Sequence, residues 1–470
     1  MQKNDILALI HCPIHGYISF VSSRSKRLGD EACEQDLIDH PWVQRLRQIH
    51  QLQTAWWVFP AAEHTRFQHV LGVMHLASRA VEALYDSLKE TCPDVPSRGY
   101  VEALLRVAGL LHDVGHGPFG HFFDEHFLKP YSLTHETLGA DIILKELSPI
   151  IQKIRRTPRG ELLPQEQLDP NQIVFLIVRP QTHVSREENV PLWLRLLRTL
   201  FCGYYTVDNM DFVLRDAYMS GYSPKIVDID RLFYYSFFTP QGLTIEERGL
   251  GSLVHFLAAR AELFRTIYFH RTVRAVDMTL LDLFQESKKF FFPGNPQKYL
   301  EDYLDFTEWS LLVQTTTQWK HSDNQTLREL SEKWRQMVQR HLPWRTVVER
   351  TFFYNSPSQE RQSLFADSRF FEMKFRAALP EESREMPLRF DLARHASRPG
   401  TIGPAENQNF VMDTKTGKIR PVTEEEIVRS LPLISTICRV YARHDADEKI
   451  LHQAMDKLLG SNGLDEGTNM

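Results

Sequence analysis

Cysteine is scarce in these 470 residues and badly placed for a framework. Cys12, Cys33, Cys92, Cys202 and Cys438 are odd in number and include no CxxC pair. That pattern argues against a disulfide scaffold or a zinc ribbon, and a reducing cytoplasm is the expected compartment. Residues 1–6 contain no apolar signal core. No uninterrupted apolar run is long enough to span a bilayer, so no membrane role is expected. An excess of basic charge is missing too: 55 Lys and Arg against 60 Asp and Glu leave a formal net charge of -5. Bulk charge therefore gives no case for nucleic-acid binding. Internal repeats and low-complexity tracts are also absent.

What the chain does have is helical periodicity. Apolar residues recur at three and four in Leu71, Ala77, Ala80, Val81 and Leu84, and again in Leu104, Val107, Ala108 and Leu111. Gly115 is a natural stop for the second run. Further helix signals cover 207–219, 253–284 and 327–341. Short strands are expected at 17–21, 226–229 and 410–422, the last folded at Thr414-Lys415-Thr416-Gly417. The expected class is mainly α with a smaller α+β lobe at the C-terminus. A break at 292–296 places the motif-rich core in residues 1–290 and the second lobe in 291–470. The tail after Leu459 is expected to fray.

The densest polar chemistry lies in Leu110-Leu111-His112-Asp113-Val114-Gly115-His116-Gly117-Pro118-Phe119-Gly120-His121. An adjacent His and Asp offer a neutral nitrogen and a charged oxygen to one cation, the mix a borderline divalent metal takes. His69 opens one apolar helix, His112 and Asp113 close the next, and Asp208 projects from a segment anchored by Val207, Met210, Val213 and Leu214. Two histidines and two carboxylates leave room for water, as a catalytic metal requires. His116 and His121 remain to handle protons. Elsewhere the plainer reading is preferred. His75 and His126 read as core histidines, and Asp211 with Arg215 as an i, i+4 ion pair on a solvated or semi-buried face.

Several separate motifs carry a resemblance. They are Pro13-Ile14-His15-Gly16, Gln44-Arg45-Leu46-Arg47-Gln48-Ile49, Val58-Phe59-Pro60, Arg66-Phe67-Gln68-His69 and Leu71-Gly72-Val73. His112 to Phe119, Thr134-His135-Glu136, 208–216 and 260–271 continue the series. In this order and spacing the chain resembles the HD-domain deoxynucleoside triphosphate triphosphohydrolases, most closely their sterile-alpha-motif/HD-type branch. The resemblance implies an HD-domain helical core. It implies His69, His112, Asp113 and Asp208 as metal ligands. It also implies His116, His121 and His135 around the scissile phosphate, with His121 protonating the leaving 5′ oxygen and Asp124 and Glu136 orienting the histidines. The implied reaction is attack of metal-activated water on the α-phosphate of a dNTP, giving a deoxynucleoside and inorganic triphosphate.

The implied substrate contacts match at Arg66 and Arg260 for phosphate, Gln51, Leu52 and Asp216 around the sugar, and Tyr268 against a 2′-hydroxyl. Arg260, Phe264 and Tyr268, spaced i, i+4, i+8, are expected on one helix face. Three positions depart: Asn209, Phe212 and Phe269 stand where the branch carries lysine, tyrosine and glutamine. Arg265, Arg271 or Arg274 are the replacements the sequence offers for the lost phosphate grip. Asp39, Gln44 and Arg47 match residues that hold an activating dNTP or GTP in regulated relatives; the plainer reading is a helix surface with an Asp39 N-cap. Ala8 and His11 differ from those relatives. The implied cofactor is a divalent transition metal (iron, manganese, zinc or nickel) with a second site for magnesium, and the implied assembly is a homo-oligomer, dimer or tetramer. Two other functions stay open: an HD phosphohydrolase acting on another nucleotide phosphoester, and a nucleotide sensor or nucleic-acid binder.

Overall fold

The computed structural model describes residues 7–23, 30–179, 190–396, 409–444 and 446–459. The tail after Leu459 lies outside them. The chain opens with an antiparallel hairpin, Leu7–Cys12 against Gly16–Val21, turning at His15-Gly16 with Gly16 at φ +72°. The first long helix, Arg66–Thr91, starts where the Gln68 side chain accepts the Thr65 N–H at 2.8 Å. The second, Arg98–Leu111, is capped by Ser97, whose hydroxyl accepts from the Tyr100 N–H at 3.1 Å. These two form the centre of the main core. Gly109 permits their close approach, since a Cβ there would lie 3.1 Å from the Met74 backbone.

Helix Val207–Met219 packs on the first helix, its N-terminus capped by Thr206. Helix Leu250–Leu263 runs into a π-turn, Phe264–Tyr268, and stops; His270 then caps a new helix, Arg271–Phe291. The single helix expected over 253–284 is thus two. Residues 226–228 are not a strand either. They run as extended coil into helix Ile229–Tyr235, because Asp228 accepts from the Arg231 N–H at 3.1 Å and starts a helix there.

The main core continues past residue 291, taking in Tyr303, Phe306, Trp319, Trp334 and Met337. A second core gathers around a three-stranded antiparallel sheet in the order Arg345–Tyr354, Ile434–Ala442, Leu388–Ala396, with helices Ser368–Ala378 and Glu448–Leu459 against it. The expected hairpin near 414–417 is present. Its strands extend a sheet of the main core: Asn409–Met412 pairs in parallel with Gly242–Glu246, and Ile419–Pro421 pairs antiparallel with Asn409–Met412 at the edge. The fold is mainly α with a smaller α+β region. Among the described residues no helix is long and apolar enough to cross a membrane.

Candidate metal and phosphate site

Three helices bring the expected metal ligands together. His69 Nε2 lies 3.3 Å from His112 Nε2 and 3.1 Å from Asp208 Oδ1, and His112 Nε2 lies 3.7 Å from the same oxygen. Atoms each about 2.1 Å from one ion sit ~3.0 to 3.4 Å apart, so these three converge as ligands do. Asp113 stands slightly aside, 3.5 Å from His112 Nε2 and 3.9 Å from His69 Nε2, and accepts from Arg66 Nη1 at 2.5 Å. Burial opposes charge on His69, but Asp208 and Asp211 outweigh it and raise the imidazole to about 10. Burial likewise pushes the Asp208 carboxyl up, while bonds to His112 and His69 bring it well below the usual carboxylate range. The pocket therefore favours positive charge where the donors meet, and the mixed nitrogen and oxygen set fits a borderline divalent cation.

The rings are aimed by bonds on their far sides. His69 Nδ1 donates to Asp211 Oδ2 at 2.8 Å, and His112 Nδ1 to the Gly109 carbonyl at 2.8 Å. Both leave Nε2 facing the ligand position. Asp211 corrects the sequence reading. It does pair with Arg215, at 2.8 Å from both Nε and Nη2, but it is fully buried rather than half-solvated. Its spacing from Asp208 was the available signal, since i and i+3 share a helix face.

The second histidine group surrounds Asp124. His116 is fully buried and stacks on His135 at 3.7 Å, with His121 edge-on at 5.0 Å. Asp124 Oδ2 accepts from His135 Nδ1 and lies 3.4 Å from His121 Nδ1. Burial, reinforced by Arg66 and His135, holds His116 well below the ordinary histidine value, so it is neutral. Phe119 and Gly120 both take left-handed backbone, φ +62° and +54°, and this turn delivers His121 to the rim, its side chain 67% exposed. A Cβ on Gly120 would collide with Arg66 Nη2. Glu136 departs from its implied role: it pairs with Arg179, Oε1 to Nε 3.1 Å, and accepts the Arg179 N–H at 2.9 Å. No hydrogen bond from Glu136 to the three histidines is present among the described residues.

A cavity of about 450 Å³ joins the ligand set to the substrate positions. Arg66, Gln51, Leu52, Asp216, Arg260 and Tyr268 all line it, as do the departing Asn209, Phe212 and Phe269. Arg260 is held with Nε and Nη1 buried and without partners. Tyr268 donates to Asp216 Oδ2, and Asp216 Oδ1 lies 2.8 Å from His64 Nε2, so the ring is fixed at the wall. The π-turn, rather than an unbroken helix face, places Phe264, Tyr268 and Phe269 side by side. The C-terminal sheet also reaches this wall, which the sequence did not signal. His395 stacks on Phe264 at 3.9 Å, and Asp391 holds Arg274 at 2.7 and 3.1 Å.

The HD-domain family model matches residues 66–177, the stretch that supplies His69, His112, Asp113 and the second histidine group. Residues 66–177 are thus similar to an HD domain. It is 25% identical over 431 residues to the uncharacterized protein YwfO of Bacillus subtilis, covering 87% of this chain and 89% of that one. It is 28% identical to the Dictyostelium discoideum homolog of deoxynucleoside triphosphate triphosphohydrolase SAMHD1, over 60% of this chain and 51% of that one. The Homo sapiens SAMHD1 is also 28% identical, over 61% and 45%. The chain thus spans about half the length of those two triphosphohydrolases. Among solved structures, a hypothetical protein from Aquifex aeolicus has the same fold, with a TM-score of 0.66 at 22% identity, covering 95% of this chain and all of that one. The HD domain, these relatives and the grouped His and Asp donors support a metal-dependent phosphohydrolase of the HD superfamily.

The residues matched to nucleotide activation lie outside the HD cavity. Asp39 is exposed and ends helix Glu34–Ile38 as its C-cap, so the N-cap reading is corrected: His40 caps the following turn. Gln44 donates to the Ile38 carbonyl at 2.7 Å and accepts from Arg47 Nε at 2.8 Å, and the Arg47 guanidinium covers Phe67 at 3.6 Å. Arg45 between them is not a surface residue. It is buried and donates to the carbonyls of His116 at 2.7 Å and Phe306 at 2.9 Å, tying the loop after Asp113 to the core.

Proposed function

We propose that this HD protein hydrolyses deoxynucleoside triphosphates to deoxynucleoside and inorganic triphosphate. The observation that carries the reading is the cavity itself: one space joins the convergent metal donors, the unpartnered Arg260 guanidinium and the Asp216-anchored Tyr268. His69, His112, Asp113 and Asp208 would hold a divalent cation, which would supply Lewis acidity and lower the pKa of water at that position. Arg260 meets phosphate oxygens, satisfying its buried N–H groups. His121, at the rim and backed by Asp124, donates the proton to the departing 5′ oxygen. His135, hydrogen-bonded to Asp124, and neutral His116 beneath it give the phosphoryl group a preformed polar wall. Leu52 lies along the sugar, and the Tyr268 ring, fixed at the cavity wall by Asp216, presses on the deoxyribose and selects against a 2′-hydroxyl. Gln51 and Asp216 orient the sugar.

The wider reading follows the same relatives. A second magnesium site against the phosphates, activation by a dNTP or GTP at Asp39, Gln44 and Arg47, homo-oligomer assembly, a cytoplasmic setting, and a use in dNTP-pool control or antiviral defence belong to it. The division of labour between residues 1–290 as catalytic core and 291–470 as regulatory lobe belongs to it as well. A second reading, hydrolysis of a nucleotide with fewer phosphates, is favoured by Asn209 and Phe212, which put an uncharged amide and a bare ring into the cavity. Product identification with all four dNTPs, singly and mixed, tests both. Inorganic triphosphate release supports the main reading. Phosphate or pyrophosphate release, or turnover of monophosphates alone, overturns it. A rate seen only in the mixture supports the activating site.

A further inference from the structure

Asp211 joins the metal site to the N-terminal hairpin. One carboxylate oxygen accepts from His69 Nδ1 at 2.8 Å, and the other accepts from His15 Nε2 at 2.6 Å. His15 sits at the tip of the hairpin, more than fifty residues before His69, and its side chain is 2% exposed. The space is built for this contact. Gly72, mid-helix, faces Asp211, and a Cβ there would overlap its Oδ1 and crowd Arg215. A glycine inside a helix is destabilising relative to alanine, so its presence here is tied to the approach of that carboxylate. Arg215 alone already balances the charge of Asp211 from one side. His15 fixes the carboxylate's rotation from the other side, and that rotation sets the plane of the His69 ring.

We infer that His15 is a positioning residue for the metal: through Asp211 it fixes the His69 imidazole with Nε2 toward the ligand position, so the hairpin and the metal site form one unit. The inference rests on the metal assignment and not on the dNTP reading. Loss of a partner one shell out from a metal ligand typically costs 10- to 100-fold in metal affinity. His15 acts through Asp211, so about 10-fold is expected.

The test uses the full chain stripped by chelator and titrated with Mn²⁺ alone. His15→Ala should weaken Mn²⁺ binding about 10-fold, and His15→Gln, which keeps a donor for Asp211, should restore most of it. The thermal shift on adding Mn²⁺ should shrink in His15→Ala, independently of any change in the melting point of the stripped protein. A merely structural histidine would lower the stripped melting point and leave the Mn²⁺ affinity alone; that result overturns the inference. A measurement on the wild type covers a variant that fails to fold. Coupling between sites is reciprocal, so Mn²⁺ must slow amide exchange in residues 7–21. Unchanged exchange there overturns the inference, and a wild-type chain that takes up no Mn²⁺ overturns the metal assignment with it.

Discussion

Replacing Arg260 with methionine should make the protein more stable and unable to hold phosphate. Burial lowers the Arg260 guanidinium from 12.5 to about 10, only partly offset by the nearby Asp208. The side chain is charged at neutral pH in both the folded and unfolded chain, so a weaker native affinity for its proton is a destabilisation. At about 1.4 kcal/mol per pH unit, this shift corresponds to ~3 kcal/mol. Two unpartnered buried N–H groups point the same way, since each such group costs about 1 to 3 kcal/mol. Methionine keeps the apolar stem and drops the charge. Without ligand, Arg260→Met should melt a few degrees above wild type. Inorganic triphosphate or a dNTP should raise the wild-type melting temperature, because a ligand that binds only the native state stabilises it. The variant should show no such rise. Calorimetry of both proteins with and without triphosphate reads all four states. If ligand-free Arg260→Met melts at or below wild type, the guanidinium is not strained, and the claim that it waits for an anion is wrong.

Asp113→Ala should abolish turnover with the helical signal of the fold retained; full activity would remove Asp113 from the metal site. His121→Ala should keep its metal and lose about 10²- to 10⁴-fold in rate, the usual contribution of a proton donor, and unchanged turnover would take His121 out of that role. Acid sensitivity should trace in part to His395. Burial, helped by Arg260 and Arg265, lowers it to about 3. The unfolded chain therefore takes a proton near pH 6.5 that the native one refuses. Its stabilising effect is complete above pH 6.5 and is lost as pH falls toward 3, by ~1.4 kcal/mol at pH 5.5. Denaturation of His395→Gln at pH 7.5 and 5.5 should show a smaller loss than wild type; an equal loss in both would exclude His395 as the cause.

The convergence of the candidate metal ligands was legible because each sits in a local pattern that needs no tertiary knowledge: a histidine at a helix start, a His-Asp pair at a helix end, an acid on an anchored helix. Val207–Met219 was read to the residue, since Thr206 and the apolar spacing mark it alone. The misses are of another kind. Ile226 and Val227 favour strands, but Asp228 caps a helix, and one capping bond outweighs the propensity of two residues. The π-turn at Phe264 leaves no trace in composition. The full burial of Asp211, read as a solvated or semi-buried ion pair, and of Arg45, in a run read as helix surface, was missed because burial of an ion is decided by partners far along the chain. For Asp211 those partners are His15 and His69, and for Arg45 the carbonyls of residues 116 and 306. His395 and Asp391 back the cavity wall, behind Phe264 and Arg274, only through the packing of a strand more than a hundred residues beyond the motifs.

That distant strand also decides which arginines of the cavity keep free nitrogens. The sequence offered Arg265, Arg271 and Arg274 in exchange for the missing lysine and tyrosine. Arg274 lines the cavity, yet its three nitrogens are engaged by Asp391 and Asp277. Arg265 pairs with Glu262, and Arg271 is exposed and does not face the cavity. Arg66 is drawn to Asp113. Among the described cavity residues, the cations left to meet a polyphosphate are Arg260, with unpartnered nitrogens, Arg66 through its unpartnered Nε beside Asp113, and Arg179, whose partner Glu136 is a single carboxylate at the cavity wall. Arg179 has 71% of its side chain exposed, and an exposed ion pair contributes about 0 to 1 kcal/mol, so a phosphate can displace Glu136 at little cost. On the proposed function, a chain of phosphates running from the metal donors past Arg260 to Arg179 would be gripped at both ends, whereas a monophosphate would meet only the first. Arg179→Ala should therefore raise KM for a dNTP and leave turnover of a monoester unchanged. Equal losses on both substrates would show that Arg179 serves the fold of the rim and not the length of the substrate.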